Sequence, residues 1–559
     1  MAWWDDLWLN EGFASWAENL AADSLFPEWC MWDQFTVDSA AAALRLDALR
    51  SSHPIQVPIK HAEEVEEVFD AISYCKGSSV VRMIYAVLGH DAFQRGLMAY
   101  MKKHKYSNTE TYHLWAAWEE SSGLPIGDMM KSWTEQMGFP LLTVTSSSFS
   151  DTHATINLKQ QWFLADGSPI QPGEEKTWCV PILACNSAGA VADVYMMRES
   201  TMEIKVPLAA AGDWVKLNAG QQCHLRVCYD AEMLKRLAVG VASGSVTVAD
   251  RAGVLMDTFA VVKAGHVSPA VLIRLLSNYG KEEDATVWGA IDGVLSGLNT
   301  ITVENDFIQK ELHALAARLV KPLAEKIGWE PRADDGHKTK LLRGTMIGLL
   351  DTFCYKDESV VKEVRSRFAK FQENAADMQA LPSDMRASVF KMYLKNGGQK
   401  EYDQVKAYFE TASDTAEKKH VLHSLGAIPD IRLKLQTLDW TTSGAVKLQD
   451  FFYTIGSVHR SSKEAMHLTW KYYQDNFERL KGMLGKASPS LMDAVIVFSC
   501  GAFCSGEKAD EIEAFFAKHP LPSNARKIQQ TVESMRANAK FRGQIEGSEL
   551  SAQAFWNSL

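Results

Sequence analysis

The chain has 559 residues, enough for roughly three to four domains of about 150 residues each. Its 47% apolar and 23% charged residues are the balance of an ordinary globular protein, and 17 Trp, 24 Phe and no low-complexity run exclude disorder. A net charge of −11 with no dense Lys/Arg cluster argues against nucleic-acid and anionic-membrane partners. No apolar stretch approaches the roughly 20 residues that span a bilayer. The opening Met1-Ala2-Trp3-Trp4-Asp5-Asp6 is neither a secretion signal nor a transit peptide. Nine irregularly spaced cysteines read as free, mostly buried thiols, so the expected setting is cytoplasmic.

Residues 1–140 carry Ala-rich amphipathic runs, which predict helices over Phe13 to Asp23, Asp38 to Leu49, Gly77 to Leu88, Asp91 to His104 and Thr109 to Glu120. Residues 141–230 turn to short strands, at Leu142 to Thr145, Ala154 to Leu158, Trp178 to Ile182 and Val215 to Leu217. Asp166-Gly167 and Pro172-Gly173 supply turns between them, and the stretch has the length of a compact antiparallel β-sandwich. From 231 to 559 the helical period returns, broken at points such as Ser277 to Gly280, Asn396 to Gly398 and Ile428 to Asp430. Paired helices at this density suggest an α-solenoid of HEAT or armadillo type, with a large irregular bundle as the alternative. The whole reads as a multidomain, mainly α protein.

No phosphate-binding GxxxxGK[ST], no GxGxxG after a strand and no GxSxG occurs. Cys500 and Cys504 lie on an apolar helix and read as core. His420 and His423 lack a third ligand nearby and read as a solvated helix face. The acidic run from Glu63 to Glu67 reads as the charged opening turns of a helix.

Two segments differ in kind. In Trp3 to Trp16, aromatic residues crowd two aspartates; Asn10 is placed to cap the next helix, with Glu11 in its first turn. In Phe69 to Ser79, Tyr74 stands just before a helix opened by Gly77. Taken singly, Glu11 is an ordinary dipole-favoured surface residue and Tyr74 ordinary packing. Further motifs follow in order. They are Ser52-His53-Pro54-Ile55, Trp133 with Gln136 and Gly138-Phe139-Pro140, Trp214 to Gly220, and Arg226 to Tyr229.

Together with W-x-D-x-W-L-N-E-G-F-A (Trp4 to Ala14) and F-D-x-I-S-Y-x-K-G (Phe69 to Gly77), this series resembles the zinc aminopeptidases of the gluzincin, aminopeptidase N-like group, above all its puromycin-sensitive members. The resemblance implies that 1–140 is the C-terminal helical half of a thermolysin-like catalytic domain, 141–230 a β-sandwich and 231–559 the family's helical domain. It implies peptide substrates, Glu11 as the third zinc ligand and Tyr74 as hydrogen-bond donor to the oxyanion of the tetrahedral intermediate. Asp5 and Asp6 are then either partners of zinc-bound histidines or surface and capping residues.

One departure matters. The family's other two ligands and its general base come from HExxH, eighteen residues before the ligand Glu, and only ten residues precede Glu11 here. The GxMEN loop that grips a free amino group is absent too. One carboxylate does not hold a catalytic zinc, so the expectation is the C-terminal portion of a zinc aminopeptidase that alone binds no metal and is inactive. The alternative is a non-catalytic scaffold. Trp3, Trp4, Trp8 and Trp16 are expected to lie uncovered, which makes residues 1–60 a surface for self-association or for a missing N-terminal half.

Overall fold

The computed structural model describes residues 1–377, 381–485 and 487–559, apart from the side chains of 62, 63 and 67. They fall into two compact units, 1–294 with residue 559, and 295–558.

The first unit opens with a 3-10 turn, Trp4–Asp6, that runs directly into helix α1 (Trp8–Leu25). Asn10 is therefore inside the first turn and does not cap; Leu7 occupies the N-cap without a side-chain bond. Asp6 reaches across the unit instead. Its carboxylate accepts from Thr111 N at 3.1 Å, Thr111 Oγ1 at 2.6 Å and Gln56 Nε2 at 3.0 Å. Asp5 accepts from Ile59 N at 2.8 Å. Both aspartates are tethers that fix neighbouring segments.

The tryptophan expectation needs correction. Trp8 is 0% exposed and stacks on Trp115, while Trp16 is 4% exposed and packs on Phe93 and Tyr85. The unit covers both with its own helices; Trp3 alone of the four stays well exposed, at 55%, with Trp4 half-buried.

Helices α2 (Met31–Phe35) and α3 (Ala41–Asp47) are joined by a π-turn, Thr36–Ala40. The acidic run forms a short 3-10 helix, Ala62–Val68, and Glu64 accepts from Lys60 N and His61 N just before it. Two predicted helices merge into α4 (Gly77–His104), which bends at Gly89, where φ is +71°. Helices α5 (Thr111–Ser122) and α6 (Ile126–Thr134) follow, and the latter, with Met129, Met130 and Trp133 buried, was not expected.

The strands form two sheets. β1 (Pro140–Phe149), β2 (His153–Trp162), β5 (Thr201–Pro207) and β7 (Arg226–Cys228) order as β5-β2-β1-β7. β3 (Val180–Asn186), β4 (Gly189–Met197) and β6 (Lys216–Leu217) order as β4-β3-β6. The pairing is not wholly antiparallel: β7 runs parallel to β1, with Leu142 opposite Val227. Strand β4 escaped prediction because it is an edge strand with mostly exposed residues and no apolar alternation. A core of Leu44, Ala48, Phe139, Leu141, Phe163, Cys228 and Val261 welds α3, the sheet and α8 (Val248–Lys263) together. Before α8 comes α7 (Ala231–Ser243), capped by Asp230, and after it α9 (Pro269–Leu276), capped by Ser268 with Pro269 at the first position.

The second unit is helical. Asn305, Asp357, Asp414, Asp430 and Ser462 each accept an N–H of the helix they precede, so the break at Ile428 to Asp430 ends in an N-cap, whereas that at Asn396 to Gly398 ends on a glycine without one. Helices pack on sequence neighbours, such as Asp306–Ile327 on His337–Phe353. Cys500 and Cys504 are among the seven of nine cysteines that are buried. His420 and His423 do not form a solvated face. His420 Nε2 lies 3.0 Å from Ser383 Oγ, and His423 packs on Tyr453; burial, helped by Lys391, holds its imidazole down at about 4. Among the described residues, no helix is long and apolar enough to cross a membrane.

Candidate active site

Glu11 sits in the first turn of α1, and Tyr74 in a π-turn, Ile72–Lys76, that leads into α4. They meet because two glycines let the backbones touch. A Cβ on Gly12 would lie 2.9 Å from Cα and C of Gly77, and one on Gly77 would lie 3.1 Å from Gly12 Cα. Any side chain at this crossing forces the helices apart. Glu11 adjoins one glycine and Tyr74 stands three residues before the other. The half-buried Tyr74 hydroxyl stands next to the Glu11 carboxylate; burial first, and this carboxylate second, push the phenol up. A phenol held up in this way stays protonated, and so a donor, at neutral pH. π-turns of this kind recur at functional sites.

Both ends of the π-turn are pinned. At its start, Asp70 Oδ1 accepts from Ile72 N at 2.8 Å and Ser73 N at 3.4 Å. Asp70 Oδ2 lies 3.0 Å from Nε2 of the buried His53, whose Nδ1 lies 2.7 Å from Pro54 O. At its end, the fully buried Lys76 Nζ lies 2.8 Å from Asp47 Oδ2 and donates to Gly138 O at 3.0 Å. Asp47 Oδ1 also accepts from Gly138 N at 2.9 Å and Ser52 Oγ at 2.8 Å, and His224 Nε2 lies 3.2 Å from its Oδ2. Burial alone would raise this carboxyl; Lys76 and His224 hold it well below the usual range. Gly138, at φ +84°, has no room for a Cβ, which would fall 2.2 Å from Trp162 Nε1. Exposed Phe69 extends the aromatic wall, its ring 6.4 Å from Tyr74 and 6.2 Å from Trp4.

The remaining motifs are scaffolding. Trp133 Nε1 donates to Cys179 O, Lys216 pairs with Asp250 at 3.0 Å, and Arg226 pairs with Asp257 at 3.0 Å. Sequence reasoning brought out Glu11 and Tyr74 but passed over Asp47, Asp70 and Lys76 as participants. Asp47 had one available signal, a charge on the apolar stripe of an amphipathic run.

A catalytic zinc takes three protein ligands and keeps one position open. Among the described residues, no group of three or more His, Cys, Asp or Glu is arranged to hold a metal ion, and the ionisable neighbour of Glu11 is a tyrosine. The residues present offer one ligand and do not by themselves fit such a centre.

Comparison with known proteins agrees with the motif order. The Peptidase family M1 domain description matches residues 1–133, and the ERAP1-like C-terminal domain matches 214–537. Aminopeptidase M1 of Arabidopsis thaliana is 35% identical over 97% of the chain and 61% of its own length. Aminopeptidase M1-B of Oryza sativa subsp. japonica is 33% identical over 99% of the chain and 63% of its own length. The puromycin-sensitive aminopeptidase of Caenorhabditis elegans is 30% identical over 97% of the chain and 55% of its own length. The chain thus spans about 60% of the length of the curated relatives it matches. With an M1 match at its start and an ERAP1-like match over more than half its length, the chain belongs to the M1 aminopeptidase family.

Proposed function

We propose that this chain is the C-terminal portion of a zinc aminopeptidase that removes N-terminal residues from peptides. The single observation that carries the reading is the juxtaposition of Glu11 and Tyr74 at the Gly12–Gly77 crossing. A scaffold has no use for it. In this reading Tyr74 donates its hydroxyl proton in a hydrogen bond to the oxyanion of the tetrahedral intermediate. Such a donor acts only as charge develops, so it lowers the barrier without tightening ground-state binding. Glu11 is one metal ligand of three. The other two, with the general base, belong to an HExxH segment that this sequence does not contain, so residues 1–559 alone do not turn over. The exposed Trp3 and Phe69, with Trp4 between, form the surface that the upstream part covers. Residues 231–559 are an α-solenoid, the natural limits of the parts are near 140 and 230, and the setting is cytoplasmic.

The test joins this chain to the upstream segment of a relative and follows zinc content and hydrolysis of aminoacyl-arylamides. Residues 1–559 alone hold no stoichiometric zinc and are silent, whereas the joined protein holds about one zinc and turns over. There Glu11→Ala loses the metal. Tyr74→Phe keeps it and loses about 10²–10³ in kcat. A Tyr74→Phe variant with altered KM and unchanged kcat overturns the assigned role.

A further inference from the structure

We propose that the buried Lys76–Asp47 pair is a positioning device for Tyr74, and that Lys76 acts on turnover through it. The proposal rests on the reading of Tyr74 as oxyanion donor.

Lys76 is the last residue of the π-turn that carries Tyr74, and both Lys76 and Asp47 are 0% exposed. A buried ion pair gains little stability over apolar residues of the same volume, because desolvation of two charges offsets their attraction. Stability is therefore a poor reason for this pair to exist. Its geometry suggests another. Asp47 receives Lys76, His224, Ser52 and the Gly138 amide, while the Gly138 carbonyl receives Lys76 in return. The ammonium is thus held to a carboxylate at the end of α3 and to the turn entering β1. Neither moves freely, since both belong to the core that α3 shares with the sheet. A slide or rotation of the π-turn breaks the ion pair and strands two charges away from water, a far larger cost than the pair's net contribution.

The opposite end is fixed by the Asp70 carboxylate, which His53 holds in turn. Releasing Lys76 removes the side-chain anchor at the end that leads into α4, so Tyr74 is expected to shift relative to Glu11. Rate is sensitive to that: misplacement of a catalytic group by about 1 Å costs on the order of 10²-fold. The side chain of Lys76 faces the core and does not touch substrate, so binding is not expected to change.

The experiment is a double-mutant cycle in the joined protein that the proposed function requires. Lys76→Met, which keeps the length of the side chain, is expected to lower kcat roughly ten- to hundredfold with KM within about threefold. In the Tyr74→Phe background the same change is expected to add little, because the group it positions is gone. Where Lys76→Met fails to fold, the neutral pair Lys76→Met with Asp47→Asn replaces it, since no uncompensated charge remains. On residues 1–559 alone, hydrogen exchange of 70–78 is expected to rise while that of α5 and the sheets stays unchanged. If Tyr74→Phe lowers kcat and Lys76→Met does not, the positioning role is overturned and the oxyanion reading stands. If Tyr74→Phe leaves kcat intact, the oxyanion reading itself fails. Equal losses in both backgrounds mean a general structural role and also overturn the proposal.

Discussion

The helices around Glu11 and Tyr74 begin differently from those of the second unit. Among the described residues, α1 to α4 start without a side-chain cap, each growing out of a preceding 3-10 or helical turn. Several helices of the second unit start on Asn, Asp or Ser side chains that accept an N–H, among them Asp306–Ile327, Glu358–Glu373, Ile431–Trp440 and Lys463–Asp475, whereas others, such as His337–Phe353, start uncapped. Buried charge occurs in both units. In the first unit Asp47–Lys76, Lys216–Asp250 and Arg226–Asp257 are almost wholly enclosed and join segments distant in sequence. In the second, Arg343–Asp335 and Arg386–Glu417 are enclosed as well, while pairs such as Arg536–Asp510 and Lys471–Asp475 are largely exposed and the fully buried His459 lies beside Phe503. The contrast teaches where each region stores its specificity. Many helix starts of the second unit, like those of α7 to α9 in the first, follow a local capping rule. Around Glu11 and Tyr74, long-range polar contacts instead fix a few side chains in space.

The largest effect should come from breaking one such contact. Asp47→Ala leaves the Lys76 ammonium buried without its carboxylate, which costs about 3–5 kcal/mol. Arg536→Ala, at an exposed pair, costs about 1 kcal/mol or less. Denaturant unfolding of both variants checks the difference, and near-equal losses would erase the contrast. Next comes the glycine crossing. A methyl on Gly12 overlaps the Gly77 backbone at 2.9 Å, an overpacking expected to cost about 1–3 kcal/mol. It should also part Glu11 from Tyr74, so an unchanged separation between the two side chains in a Gly12→Ala structure would contradict the role given to the glycines.

Acidification should then act more on the second unit. His459 Nε2 accepts from Ala502 N at 3.3 Å, so the ring is neutral, and burial holds its value down at about 3. His423 is held at about 4 by burial and by Lys391. An unfolded histidine takes up its proton near pH 6.5, whereas these do so only far below. The unfolded state thus binds more protons between pH 6.5 and 4, and native stability falls as pH falls through that window. The slope is about 1.4 kcal/mol per pH unit for His459 and less for the half-buried His423. In the first unit His224 is also lowered by burial, but Asp47 beside it opposes the shift. Segment-resolved hydrogen exchange at pH 7.5 and 5 separates the two; a larger loss in residues 1–294 would reverse the ordering.

Legibility in the sequence follows the same division. Breaks in the helical period of 231–559 could be read because caps, turns and glycines are local and chemically distinctive, as Asp430 after Pro429 and Gly397-Gly398 show. The helices of 1–140 were visible by their period, but their starts were not. Asn10 was read as a cap because Asn before an apolar run ordinarily is one, and the 3-10 turn that starts α1 earlier leaves no local mark. Glu11 and Tyr74 stood out through motif order, not through their own surroundings. Asp47 and Lys76 were silent because a buried ion pair is a relation between residues 29 positions apart, which periodicity does not register. His420 and His423 misled in the opposite sense, since polar residues at helical spacing look solvated until the neighbouring helices are placed.

The smallest expected effect tests the local rule itself. Asn305 precedes the 22-residue helix Asp306–Ile327, and its side chain accepts from Ile308 N at 3.1 Å. Asn305→Ala removes that acceptor from a partly exposed helix end, where water takes over the N–H, so the loss should be about 1 kcal/mol. Leu7 is the counterpart at α1. It is buried against Ile59 and Val68 and caps nothing with its side chain. Leu7→Asn offers a good capping residue there, yet it removes an apolar side chain from a packed cluster, which costs about 2–5 kcal/mol in comparable truncations. If the two units obeyed one rule, Leu7→Asn would stabilise by roughly what Asn305→Ala loses. Thermal unfolding of the two variants decides: destabilisation in both, larger at Leu7, means that burial and not capping sets where α1 begins, and therefore where Glu11 stands.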